Sequence, residues 1–321
     1  MTLPREPDIC LPRISRRNVV ALGAGALANA AMPGGLPAQA QGAPHKLRIG
    51  TAEITVISDG SFSLPMSFAL SKIDPKVASA FLSSRGVAKD AFEAQINVTV
   101  VKTPDALILV DCGGSTDFMP TLGGFAARLE SAGFQPADVT HVIFTHAHAD
   151  HLWGLIDPLD DDTRFQKARH LMCVNERDFW LKPGVEETVS DALKGPAIGT
   201  VRRLKMIEKR IEVVKFGTEL LPGVSLIDTA GHTPGHASVL LKFSNDSLLI
   251  GGDALSHPII SFEQPDWVWG ADHDAQMAVA MRKRLLDQLA TDQIAILGYH
   301  LPWPGVGRVQ RKDERYRYIA G

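Results

Sequence analysis

The chain has 321 residues, 45% of them hydrophobic and 21% charged, with a formal net charge of −3. That length buries a substantial core, and the mild acidity, with no basic stripe of interleaved aromatics, gives no sign of a nucleic-acid partner. Three cysteines are too few for a disulfide framework.

Ser15-Arg16-Arg17 precedes a short Ala/Gly-rich apolar run to Ala28, and Pro37-Ala38-Gln39-Ala40 follows. A basic start, a weakly apolar middle and an Ala-x-Ala end predict a bacterial export signal, residues 1–40, cleaved after Ala40. The arginine pair favours the twin-arginine route, which carries folded cargo. Pro33 and Pro37 and the shortness of the run argue against a lasting membrane anchor. The mature protein is therefore expected in the periplasm or outside the cell. It keeps Cys112 and Cys173 as a possible disulfide or two buried thiols.

Residues 41–321 read as one domain. Arg48 to Ile57 is a predicted strand ended by the turn signal Ser58-Asp59-Gly60, with His45 in an unstructured leader. Ile96–Val101 and Leu107–Val110 flank Thr103-Pro104-Asp105 as a hairpin. A helical pattern covers about Leu122 to Ala132, and His141-Val142-Ile143-Phe144 is a strand. Leu171–Val174 reads as a strand and Glu176–Leu181 as a short helix. A basic helix over Ala192–Ile207 is interrupted at Gly195-Pro196. Ile211–Val214 and Val224–Ile227 are strands, and Ala237–Phe243 with Leu248–Ile250 forms a second hairpin. Ala275–Leu289 is a helix exposing Arg282, Lys283 and Arg284, and Ile294–Leu297 is a last strand. Hairpins mixed with strand–helix alternation predict an α/β protein with two sheets clothed by helices.

Thr145-His146-Ala147-His148-Ala149-Asp150-His151 offers four metal-ligand side chains within six residues, just past a strand. Nitrogen and oxygen donors in that mixture suit a borderline divalent ion such as Zn²⁺. The same placement recurs downstream. Gly231-His232-Thr233-Pro234-Gly235-His236, Gly251-Gly252-Asp253 and Gly298-Tyr299-His300 each follow a predicted strand. Four strand ends meeting at one edge would assemble a site. His141, His170, His257 and His273 read as structural or surface residues. No Gly-x-Ser-x-Gly segment supports a serine nucleophile.

His146-x-His148-x-Asp150-His151 with His236, Asp253 and His300 resembles the dinuclear members of the metallo-β-lactamase fold superfamily. The resemblance implies a four-layer αβ/βα sandwich: two mixed β-sheets flanked by helices, with the metals at one edge. It implies two divalent ions, Zn²⁺ by preference: one held by His146, His148 and His236, the other by Asp150, His151 and His300, with Asp253 bridging. A hydroxide between the ions is the implied nucleophile, and Asp150 or Asp253 the implied proton carrier. An aspartate at the bridging position, with the Gly298–Gly307 tail, Ser58-Asp59-Gly60 and Val110-Asp111-Cys112-Gly113, is similar to the exported methyl parathion hydrolase group and its lactonase and arylesterase relatives. The expected substrates are thus small lactones, aryl esters or related esters, with possible phosphotriester turnover. The narrower alternative is a hydrolase of methyl parathion itself, and the contrasting one a non-catalytic metal-binding or sensing protein.

Asp111 is expected to orient a ligand histidine or its loop, and His232 to stand behind the ligands rather than among them. Phe118, Trp153, Trp180 and Trp269 are candidates for a substrate wall, Phe118 and Trp180 at positions that match the resembling hydrolases. Apart from its small-molecule substrate, the expected partner is at most a second copy in a homodimer.

Overall fold

A computed structural model describes residues 43–157 and 161–321; the export signal expected at 1–40 lies outside them. In chain order the first half comprises β1 (His45–Ile49), β2 (Ala52–Pro65), α1 (Met66–Ala69), α2 (Pro75–Ser84), β3 (Ala91–Lys102), β4 (Leu107–Val110), α3 (Phe125–Ser131), β5 (His141–Phe144) and α4 (Ala149–Leu152). The short ribbon β6 (Ile156–Asp157) and β7 (Asp162–Thr163), then β8 (Arg169–Cys173), α5 (Val174–Trp180), α6 (Asp191–Ile207) and β9 (Ile211–Val214) follow. The second half contains β10 (Glu219–Leu221), β11 (Val224–Asp228), β12 (Ala237–Phe243), β13 (Asp246–Ile250), α7 (Ile260–Glu263), α8 (Ala275–Asp292), β14 (Ala295–Leu297), β15 (Val306–Lys312) and β16 (Arg315–Ala320).

Two seven-stranded mixed sheets result, ordered β1-β2-β3-β4-β5-β8-β9 and β10-β11-β12-β13-β14-β15-β16. Strand alternation sorts their side chains into layers. Ile108, Val110 and Ile143 point inward to meet Leu226, Val239, Leu241 and Ile250 of the second sheet. Leu109 and Val142 point the other way, against Phe125 and Leu129 of α3 and Leu204 of α6. Leu240 and Leu249 face Leu285, Leu286 and Leu289 of α8. Helix, sheet, sheet, helix is the four-layer sandwich expected.

Some boundaries differ from the sequence reading. His45 is already in β1, paired with Val56, and Ser58-Asp59-Gly60 is a bulge inside the long β2 rather than its end. A register shift there turns Asp59 inward without ending the ladder. α6 runs straight through Gly195-Pro196. Arg282 of α8 is buried, bonded to Asp272 and to the carbonyls of Pro265 and Trp267, while Lys283 and Arg284 are exposed as expected. The 66–90 excursion between β2 and β3 was not foreseen. Its α2 is started by Pro75 at the first helical position and by Asp74, which accepts from the amides of Lys76 and Val77. Met66, Ala69 and Leu82 of this excursion pack on Ile260 and Trp269, beside the ligand-bearing edge.

Cys112 and Cys173 are both buried free thiols, so no disulfide links them. Among the described residues no helix is long and apolar enough to cross a membrane.

Candidate metal centre

The carboxyl-terminal ends of β4, β5, β11, β13 and β14 open onto one edge of the sandwich, and every expected ligand lies in the loops after them. Asp111, just past β4, has a left-handed backbone (φ 61°), unusual for a residue with a side chain. Its carboxylate accepts from the Thr145 amide (2.8 Å), the Thr145 hydroxyl (2.7 Å) and His151 Nδ1 (2.8 Å). It therefore orients both a ligand histidine and the loop that carries it, and these bonds hold the strained backbone in place.

The donors fall into two groups, His146, His148, His232 and Asp253, and Asp150, His151 and His300, each with its donor atoms within 4.8 Å of one another. Asp253 reaches both. Its Oδ1 is 3.1 Å from His151 Nε2, and its Oδ2 is 3.3 Å from His232 Nε2 and 3.2 Å from His300 Nε2. Asp150 Oδ2 lies 3.3 Å from His300 Nε2.

The structure places His232, and not the expected His236, in the first donor group. Both nitrogens of His236 are already used: Nε2 accepts from the Asp253 amide (2.9 Å), and Nδ1 faces the Thr229 carbonyl (3.1 Å). His236 thus braces the Asp253 loop, and Gly252 (φ 52°) is needed there because a Cβ would come within 2.7 Å of its ring. His232 instead turns Nε2 to within 2.9 Å of His148 Nδ1, with its own Nδ1 fixed by Asp272 (3.1 Å). One signal for this was legible. The other ligands follow strand ends; His232 follows β11, whereas His236 immediately precedes β12.

Outer partners select which nitrogen of each ring faces inward. His151 is held through Nδ1 by Asp111, His300 through Nδ1 by the Gln95 carbonyl (2.8 Å), and His232 through Nδ1 by Asp272. Each then presents Nε2 to the centre. His148 presents Nδ1, 2.9 Å from both His146 Nε2 and His232 Nε2. Five ring nitrogens and two carboxylates facing one another in a buried space form a donor set that suits cations. His151 Nε2 and Asp253 Oδ1 show this most directly, both buried without a hydrogen-bond partner. The donors fit two divalent ions that take nitrogen and oxygen.

Electrostatics agree. Burial, reinforced by neighbouring imidazoles, drives the pKa values of His146 and His148 well below the usual value, so both offer lone pairs. Burial opposes charge on His151 as well, but Asp253, Asp150 and Asp111 outweigh it and raise that pKa to about 10. At His300 the same carboxylates, Asp253 first, overcome burial and raise the pKa well above normal. The carboxylates thus favour the protonated forms of His151 and His300.

Several supporting residues escaped the sequence reading. Glu176 of α5 is fully buried behind the first group. Tyr299 stacks on His151 (3.8 Å between centroids) and donates to the Asp150 carbonyl. Asp59 receives the amides of Gly114, Gly123 and Phe125, and burial raises its carboxyl to about 6 despite those bonds. Asp59 thereby shapes the loop that carries Phe118.

Of the proposed wall residues, half-buried Phe118 stands edge-on to Phe62 (5.8 Å), which is itself edge-on to His300 (6.1 Å). Trp180 is buried against His148 (5.8 Å), with its indole N–H bonded to Glu176. Trp153 packs behind Phe118, under Arg203 and bonded to Thr200, and so belongs to the core rather than the wall. Trp269 is likewise buried, against Phe92 and His257. His273, read as structural or surface, is half-buried at the site, with its Nε2 3.5 Å from His148 Nε2. Phe62 was missed because nothing in its local sequence separates it from a core aromatic.

Comparison with known proteins agrees with the fold. Residues 91–296 match the family model of the metallo-beta-lactamase superfamily. An N-acyl homoserine lactonase of Bacillus cereus is 27% identical over 172 residues, 54% of this chain and 60% of the relative. The chain thus spans less than two thirds of the curated relatives it matches. Among solved structures, AidC, a dizinc quorum-quenching lactonase in complex with a product, superposes with TM-score 0.81 at 26% identity, covering 87% of this chain and 97% of AidC. AbOPH, a hydrolase of the beta-lactamase superfamily, gives 0.78 at 27% identity over the same shares. The chain belongs to the metallo-beta-lactamase superfamily.

Proposed function

We propose that this protein is a dinuclear metal-dependent hydrolase of the lactonase type, opening N-acyl homoserine lactones or similar small lactones and aryl esters. The observation that carries the reading is Asp253 touching both donor groups. The likeness to AidC over nearly its whole length, a dizinc lactonase by its description, supports the substrate class.

Two divalent ions, which His146, His148 and His232 on one side and Asp150, His151 and His300 on the other would hold with Asp253 reaching both groups, would supply Lewis acidity and the means to activate a water near neutral pH. The chain's own part is to hold and to exclude. Asp111, Asp272 and the Gln95 carbonyl fix the ring orientations of His151, His232 and His300, so little reorganisation remains during reaction. In this reading Asp150 or Asp253 takes a proton and returns it to the departing oxygen. Phe62 and Phe118 give an apolar wall beside His300, suited to an acyl or aryl group. A lactone's leaving alkoxide stays tethered to the product, whereas an aryl ester or phosphotriester releases a stabilised phenolate; the second kind of substrate is included on that ground.

Export of the folded protein, through residues 1–40, is part of the proposal, supported by the arginine pair and the Ala-x-Ala end. Sequencing the amino terminus of protein recovered from the periplasm tests it. The activity is tested by a panel of acyl homoserine lactones, other lactones, aryl esters, phosphotriesters and β-lactams, each with a chelator control. Chelator-sensitive lactone opening is expected, and turnover of β-lactams alone would overturn the reading.

A further inference from the structure

We propose that Glu176 is a positioning residue that sets the separation between His146/His148 and His232, and thereby the affinity of one of the two metal positions. The proposal rests on the two-ion reading above.

Glu176 sits in the first turn of α5, at 0% exposure, and its side-chain hydrogen bonds go to groups other than the ligand side chains. Its two oxygens instead receive four hydrogen bonds from two loops and a tryptophan. Oε1 accepts from the Ala147 amide (2.9 Å) and Trp180 Nε1 (2.7 Å). Oε2 accepts from the Thr233 hydroxyl (2.6 Å) and the Gly235 amide (3.1 Å). Ala147 lies between His146 and His148 on the loop after β5 of the first sheet. Thr233 follows His232 on the loop between β11 and β12 of the second. One carboxylate therefore ties together two ligand loops that originate in different sheets.

The approach is close. A Cβ on Gly235 would fall 2.0 Å from the Glu176 amide, so only glycine lets this loop reach the carboxylate. The clasp is also one-sided. His151 and His300, in the other donor group, are oriented by Asp111 and by the Gln95 carbonyl. A buried carboxylate with all four acceptor positions filled is held firmly, because removing any donor leaves one acceptor position unfilled in a buried site.

Glutamine is the informative substitution. An amide has one acceptor oxygen and an NH₂ group. The Thr233 hydroxyl can rotate to accept from that NH₂, but the Ala147, Trp180 and Gly235 N–H groups cannot reverse. The amide oxygen would therefore stay with Ala147 and Trp180, and the Gly235 side of the clasp would open.

Metal-free wild type, Glu176→Gln, Thr233→Val and Thr233→Ser would be titrated with Co²⁺ against a competing chelator, with thermal melts of each metal-free protein. The wild type should bind two ions. Glu176→Gln should keep one at wild-type affinity and hold the other about 10- to 100-fold more weakly. Thr233→Val, which removes one of the four donors, should show a smaller weakening of the same ion, and Thr233→Ser should restore it. A general structural role would lower the melting temperature and weaken both ions or neither. Two ions bound at wild-type affinity by Glu176→Gln or by Thr233→Val, or both weakened equally, would overturn the clasp. Fewer than two ions on the wild type would overturn the two-ion reading itself.

Discussion

His151 Nε2 and Asp253 Oδ1 lie 3.1 Å apart, both buried and both without a hydrogen-bond partner. In the metal-free protein His151 holds its proton up to about 10, and His300 also stays protonated above its usual range. An ion needs the lone pairs those protons occupy, so metal binding must release protons. Affinity should consequently rise with pH from 6 to 8. Calorimetry of Zn²⁺ binding at pH 7, in buffers of different ionisation enthalpy, should record release of about two protons per chain. No release would show that these imidazoles are already neutral. Asp253→Ala should abolish turnover while leaving the far-ultraviolet circular dichroism unchanged, and retained activity would remove its bridging role.

His232 and His236 differ by four residues, and their substitutions should behave differently. His232→Ala removes a donor from the first group and should cost one ion per chain and nearly all activity. His236→Ala leaves the Asp253 amide without its acceptor, a loss of about 1–3 kcal/mol in stability. It should retain two ions at reduced affinity. Metal analysis after gel filtration, beside denaturant unfolding, separates the two; loss of one ion only from His236→Ala would restore the assignment first drawn from the sequence.

Phe62 and Phe118 pack edge to face, and Phe62 is in turn edge-on to His300. Phe62→Ala should raise KM for long-chain lactones and aryl esters by about tenfold, while kcat for the smallest lactones changes little. An equal fall in kcat for every substrate would mean that Phe62 supports His300 rather than the bound group.

His257 titrates in the folded protein only near pH 3, because burial penalises its charge, and its Nδ1 accepts from the amides of Ile259 and Ile260. The folded pKa lies below the unfolded value of about 6.5. The unfolded chain therefore binds the proton first as pH falls. Stability from this residue is complete above about pH 6.5 and is lost progressively towards pH 3. His257→Asn keeps an acceptor near the Nδ1 position and removes the titration. Urea melts at pH 7 and pH 5 should show a smaller loss on acidification in this variant than in the wild type; equal losses would exclude His257 as a source of acid sensitivity.

The layered α/β fold and the strand-end position of the ligands were legible in the sequence, because both follow from short-range pattern. Alternating apolar residues such as Ile108, Leu109 and Val110 must face opposite layers, and His146–His151 must leave the strand that ends at Phe144. Asp111 as an outer support was legible for the same reason, since it ends the strand beside that one. What the sequence could not decide was which nitrogen finds which partner across the molecule. His232 gains its role from Asp272, forty residues away, which Arg282 in turn holds in place. Glu176 reads locally as an ordinary acid in a short helix, until β5 and β11 bring two ligand loops to its two oxygens. Sequence period determines the layers and the edge where ligands gather. Only the packing of the two sheets determines the inward-facing lone pairs, because hydrogen-bond partners in a buried site are set by distances between distant segments.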